Sequence, residues 1–276
     1  TLHWLLRVSD GFHVEIKDVS QSVAALALQG PTSASILTAL TGDDWLSLPY
    51  FGARAAKFDH AAVEITRTGY TGDLGYEIWL NAGDALVVWD QVMRAGQPWG
   101  LMPIGLDALD RVRIEAGYIL NGVDYLSARS CVLERQKRTP YELGLGWTVQ
   151  LEREPFVGQQ ALRNAKPKFS LVGLEIPWEP LERLYTQHGL APQIEPQAWR
   201  VSVPVYAEQR QIGYASSGAW SPILKKNLAL ASVEPRYGAL GSEMEIEVTI
   251  EHHRYQCPAT VVARPFFDPP RKKARA

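Results

Sequence analysis

The 276-residue sequence predicts an α+β fold: helices and strands mixed through the first part, then an all-β region from about residue 170. Three patterns predict it. Apolar residues alternate with polar ones on both sides of a glycine-rich stretch at 66–80, as expected of two strands joined by a structured turn. Segments 84–95 and 104–116 instead carry helical spacing. Beyond Ser170, short alternating runs separated by turn residues suggest a small barrel or sandwich.

Taken in order, residues 2–9 form an apolar run too brief to assign. Phe12, Val14 and Ile16 alternate with His13, Glu15 and Lys17, the pattern of a half-buried strand. Residues 23–28 read as a second strand ending at Gly30-Pro31, after which Thr32 or Ser33 would cap a helix running to Leu40. Residues 53–60 lead into the hairpin. There, Gly69, Gly72 and Gly75 recur every third residue, leaving room for a turn and for close approach of another group. Glu77 lies on the strand face opposite Tyr76 and Ile78, and shares its face with Trp79. A carboxylate beside an aromatic suits a flat heterocycle with paired N–H donors, such as the 2-amino-4-oxo edge of a pterin, held by two charge-assisted hydrogen bonds. A plain hairpin with a solvated Glu77 has the same spacing, and spacing alone leaves both readings open.

In the helix at 84–95, Leu86, Val87, Trp89, Val92 and Met93 form one broad apolar face, with Gly96 as the stop. The helix at 104–116 carries Asp107, Asp110, Arg111, Arg113 and Glu115 at separations of three or four. Pairs such as Asp107 with Arg111, and Arg111 with Glu115, read as helix support at about 0.2–0.5 kcal/mol each. Further strands are predicted at 172–176, 203–206, 211–214, 228–233, 244–250 and 259–263. The proline-bearing stretch 177–204 reads as a surface excursion, and Arg271–Ala276 as a solvated basic tail.

Composition excludes several classes. The chain is 46% hydrophobic and 21% charged with a net charge of -2, which gives no general attraction to nucleic acid or membrane. No apolar run reaches membrane-spanning length. Cys131 and Cys257 stand outside any metal-ligand motif, which points to a reducing, cytoplasmic setting and no metal. The six histidines, His252 and His253 included, show no ligand spacing. Ser217 and Ser221 read as loop serines without a partner base. Trp147 reads as a packing residue.

The run Gly69–Glu77, Gly-Tyr-Thr-Gly-Asp-Leu-Gly-Tyr-Glu, resembles the signature of the glycine cleavage T-protein family of folate-binding aminomethyltransferases. Further blocks match in the same order: Ala27-Leu28-Gln29-Gly30-Pro31, Arg113-Ile114-Glu115-Ala116-Gly117, Gly144-Leu145-Gly146-Trp147 and Ser221–Asn227. The resemblance implies a cloverleaf of mixed α+β domains with a C-terminal all-β barrel. It divides the chain into a folate-binding aminomethyltransferase core at 1–165, incomplete at its N-terminus, and a β-barrel domain at 166–276. By the resemblance, the family's catalytic aspartate would lie ahead of the matching part, outside this sequence, which leaves the catalytic residue unknown.

By the same resemblance, tetrahydrofolate is the cofactor and Glu77 its pterin-binding carboxylate. Tyr118 and Tyr50 fall where some members set an aromatic near the folate. Leu109 stands where the glycine cleavage enzymes have an arginine of the ligand site, and leucine cannot donate to a carboxylate. The implied activity is transfer of a methylene or methyl group to tetrahydrofolate from a small-molecule amine or methyl donor, which a lipoyl protein could carry. The alternatives are O- or S-demethylation and a non-catalytic folate-binding regulator of the same fold.

Overall fold

The computed structural model describes residues 1–274, and the chain divides into two units. The first comprises residues 1–69, 73–103 and those from 269 onward; the second comprises 70–72 and 104–268.

The first unit is built on a four-stranded antiparallel sheet. Helix α1 (Leu2–Val8) is followed by β1 (Val23–Gln29), α2 (Ser33–Thr41), β2 (Ala53–Phe58), β3 (Ala61–Thr66), β4 (Gly75–Asn81) and α3 (Ala85–Gly96). The strands lie in the order β1-β4-β3-β2. Period-2 alternation buries one sheet face: Leu28, Val63, Ile65, Tyr76 and Ile78 pack with Ile36 and Leu37 of α2, Val88 and Val92 of α3, and Trp45. Each such side chain contributes about 1.5–3 kcal/mol by leaving water. In the β4 register Glu77 stands opposite Ala27 on one side and Thr66 on the other, on the face the helices leave open.

Four expectations are corrected in this unit. Residues 12–16 form no strand: Phe12 and Val14 are 71% and 60% exposed, and no described strand pairs with them. Alternation without a neighbour to take the backbone hydrogen bonds does not hold a strand. Helix α3 turns Val88 and Val92 inward and leaves Leu86 81% exposed. Gly96 is its last residue rather than its stop. A Cβ there would lie 2.3 Å from Leu101 Cδ2, and a further turn, Gln97–Trp99, precedes the left-handed Gly100.

The solvated tail is also corrected over 271–274; residues 275–276 lie outside the described residues. Arg271 makes a forked ion pair with Asp73, at 2.7 and 2.6 Å, and Lys272 is buried. Arg67, 1% exposed, donates to the carbonyls of Leu46, Leu48, Arg271, Lys272 and Ala274.

The second unit contains α4 (Leu106–Glu115), α5 (Gln159–Arg163), α6 (Trp178–Gln187) and six strands: β5 (Ser170–Ile176), β6 (Val203–Ala207), β7 (Arg210–Ser221), β8 (Lys226–Val233), β9 (Glu243–Ile250) and β10 (His253–Val262). They close as β10-β5-β8-β7-β6-β9, an antiparallel barrel. Closure removes the open edges that would otherwise invite pairing with another chain. Small Ala215, Ala229 and Ala231 share the interior with Leu174, Val205, Ile212 and Ile246. On the outside, Ile114 of α4 packs with Ala219 and Leu228.

The excursion at 177–204 contains a helix the sequence hid, α6, whose Leu181 and Leu184 pack against the barrel core. Trp178 meets Trp220 edge-on at 5.6 Å. Trp147 is 72% exposed and lies outside the buried clusters. Ser217 and Ser221 are buried residues of β7, not loop serines.

Candidate functional site

Glu77 projects from β4 into a shallow hollow on the open face of the first unit's sheet, lined by Glu64, Thr66, Thr68, Glu77 and Trp79. Three side chains support it in sequence. The Trp79 indole N–H donates to Thr66 Oγ1 at 3.3 Å, the Thr66 and Thr68 hydroxyls are 2.7 Å apart, and the Thr68 hydroxyl donates to Glu77 Oε2. Because the single proton of Thr68 goes to the carboxylate, the Thr66 hydroxyl donates to Thr68. The chain therefore runs one way, toward Glu77, each bond polarising the next. No lysine or arginine pairs with Glu77 among the described residues. Its Oε1 and the remaining lone pairs of Oε2 are left for acceptance.

The glycines of the hairpin serve two purposes. A Cβ at Gly69 or Gly75 would lie 2.0 or 1.9 Å from Gln29 Oε1, because the Gln29 amide crosses this point to donate to the carbonyls of Thr68 and Tyr76. Gly72 alone of the three adopts a left-handed backbone, φ 77°. The expected turn thus requires positive φ once and close approach twice.

Tyr50, the second predicted residue of the first unit, lies with its ring 4.3 Å from that of Phe51 and does not line the hollow. Tyr118 belongs to the second unit. It stacks on Tyr70 with centroids 5.5 Å apart and planes 16° from parallel. The Tyr70 hydroxyl donates to the Ile119 carbonyl at 2.6 Å. Burial pushes the Tyr70 phenol above its ordinary value, partly opposed by the positive charge of Arg113.

The charges of α4 are not the helix-surface pairs that spacing suggested. Arg113, 1% exposed, bridges Asp110 and Asp124 at 2.7 Å each and donates to the Tyr118 carbonyl at 3.1 Å. Arg200 binds the other oxygen of Asp110 at 2.7 Å. Arg111 instead donates to the Pro196 carbonyl, and Asp107 accepts from Gln197. Glu115 accepts from Ser221 at 2.6 Å; burial raises its carboxyl above the ordinary range, with the Ser221 bond and the charge of Arg111 opposing. Leu109, on the same helix, is partly buried.

Sequence reasoning missed Thr68, Tyr70 and Asp124. Thr68 was open to discovery, since extending the alternation of β3 past Thr66 puts it on the face of Glu77. Asp124 gave no local signal, because its partners are scattered from residue 113 to 217. Among the described residues no cluster of histidine, cysteine, aspartate and glutamate could hold a metal, and no helix is long and apolar enough to cross a membrane.

Comparison with known proteins finds two family models in succession: the GCVT N-terminal domain over residues 1–153 and the glycine cleavage T-protein C-terminal barrel domain over 186–268. An aminomethyltransferase of Herpetosiphon aurantiacus is 36% identical over 274 residues, 98% of this chain and 66% of that protein. One of Alkaliphilus metalliredigens is 34% identical over 275 residues, again 98% and 66%. The chain thus spans just under two thirds of these relatives' length. The crystal structure of glycine cleavage system aminomethyltransferase T from Bartonella henselae superposes with a TM-score of 0.75 at 23% identity, covering 99% of this chain and 66% of that one; at that identity the likeness is one of fold.

Proposed function

Because the chain belongs to the glycine cleavage T-protein family, we propose that it serves a tetrahydrofolate-dependent one-carbon transferase of the aminomethyltransferase type. The observation that carries the reading is Glu77: a carboxylate without a cationic partner among the described residues, on an open sheet face, held at one oxygen by Thr68. That donor set fits a pterin. Two oxygens in one plane match the adjacent amine and ring N–H of the 2-amino-4-oxo edge, a bidentate, charge-assisted contact.

Bound tetrahydrofolate would supply the nitrogen that accepts the one-carbon unit. The chain's own residues would bind and orient. Thr68 and Thr66 fix the rotamer of Glu77, so less side-chain freedom is lost on binding. Trp79 borders the same hollow, and Tyr118 and Tyr50 are proposed aromatic neighbours of the folate. Holding two reactants in register accounts for much of the acceleration in such transfers.

The donor is an amine, free or carried on a lipoyl protein, in the leading reading. Leu109 favours a second: an aliphatic side chain on α4 cannot bind a donor's carboxylate, which suits O- or S-demethylation. A non-catalytic folate-binding regulator would bind without turnover. Incubating the protein with tetrahydrofolate and candidate donors, then weighing the folate product, distinguishes them: methylene product for an aminomethyl donor, methyl product for demethylation, none for a regulator.

For the site itself, Glu77→Gln exchanges a charge for an amide of the same shape. Folate affinity by calorimetry is expected to fall about 10- to 100-fold, and Thr68→Val to lower it less. Unchanged affinity in Glu77→Gln would remove Glu77 from the site.

A further inference from the structure

The second unit holds a cavity of about 650 Å³ that the folate reading does not use. It lies beside β7, and three arginines line it: Arg135, Arg138 and Arg200. The one carboxylate in its wall, Asp124, is 1% exposed and saturated. One oxygen takes Arg113 at 2.7 Å and the Leu120 N–H at 2.8 Å. The other takes the hydroxyls of Ser216 and Ser217 at 2.6 and 2.7 Å. Asp124 therefore has no lone pair to spare for the cavity's cations.

The polar groups left over are mostly donors. Arg138 stands over the Phe169 ring at 4.4 Å and is held by its own donations to the carbonyls of Arg135 and Lys137 and to the Tyr214 hydroxyl. Its Nε is buried with no hydrogen-bond partner. Since the Tyr214 oxygen accepts from Arg138, its own proton is left to donate. Gln136 uses its amide oxygen on the N–H groups of Val132 and Leu133, which leaves its amide nitrogen. Arg200 is engaged by Asp110 through Nε alone. Arg135 and Arg138 form no ion pair among the described residues; the charge of Arg138 acts on the Glu142 carboxylate, whose oxygens already accept from Thr139 and the Lys168 N–H.

We propose that this cavity binds a small multivalent oxyanion, an organic polycarboxylate or a phosphate compound, between Arg135, Arg138 and Arg200. Guanidinium groups match carboxylate and phosphate oxygens two at a time. Arg138 is already fixed by three hydrogen bonds and a ring, so it loses little freedom on binding. The volume exceeds what a lone phosphate ion needs, which favours a larger anion. This inference is independent of Glu77 and of the folate reading.

Calorimetric titration of the full chain with citrate, and separately with inorganic phosphate, at low ionic strength tests it. Saturable binding of at least one is expected, weakened about tenfold or more in Arg135→Gln and in Arg138→Gln. Arg163→Gln, which removes a cation of the same unit outside the cavity, is expected to bind as the parent does. Citrate should also raise the melting temperature of the parent and not of the two cavity variants. Binding by citrate alone points to a carboxylate ligand, and by phosphate alone to a phosphate ligand. Should Arg138→Gln fail to fold, Arg135→Gln decides, because Arg135 has no side-chain partner among the described residues to lose. No saturable binding tighter than about 1 mM by either anion, or full affinity retained in Arg135→Gln, overturns the proposal.

Discussion

Glu115 shows how burial turns one side chain into a pH-dependent contribution to stability. Desolvation raises its carboxyl in the folded chain, so the folded state holds that proton more tightly than the unfolded one. The sign follows: this group favours folding below the ordinary carboxylate range, and its contribution is lost as pH rises through the raised value. Glu115→Gln keeps an acceptor for Ser221 without a charge to desolvate. Melting temperatures between about pH 4 and 8 should therefore decline less with rising pH in Glu115→Gln than in the parent; parallel profiles would refute the assignment. At this scale the face of Glu77 was legible, because strand alternation fixes it. The role of Arg113 was not: i, i+3 and i, i+4 spacing is the same whether a helix face meets water or a barrel wall. Only packing against β7 and β8 decides which.

Among the elements, β7 depends most on backbone proximity. A Cβ at Gly213 would lie 2.1 Å from the Ser232 carbonyl oxygen and 2.8 Å from Val233 Cα, and neither backbone atom can step aside without opening the β7–β8 ladder. Gly213→Ala should destabilise the chain by about 1–3 kcal/mol or more. Urea unfolding would then show a lower midpoint at an unchanged slope, and an unshifted midpoint would contradict the clash. The strands were legible where apolar residues alternate, and their ends were misplaced where alternation breaks. In β7 a register shift between Ala215 and Ser217 interrupts the pattern. In β10 the first residues, His253 and Arg254, are polar and exposed, and Pro258 lies mid-strand. Helix α6 was hidden by Pro177 and Pro180, which punctuate a sequence like a loop although proline is tolerated in a helix's first turn.

For the whole molecule, the α+β class and the C-terminal barrel were legible because period and turn residues change together near residue 170. Illegible was the return of the chain after the barrel to the unit it had left, since Arg67 and residues 271–274 are some two hundred positions apart. Removing residues 269–276 would strip Arg67 of three of its five carbonyl acceptors and Asp73 of its forked partner. With buried donors left unmatched at about 1–3 kcal/mol each, the truncated chain should melt well below the parent by calorimetry; an unchanged melting temperature would show the tail to be dispensable.

The same return has a temporal meaning. During translation the sheet strands leave the ribosome before the barrel strands, yet three of the carbonyls that occupy Arg67 emerge only after those barrel strands have been made. Until then the guanidinium has two protein acceptors instead of five, and the sheet unit waits for residues made after the barrel to finish it.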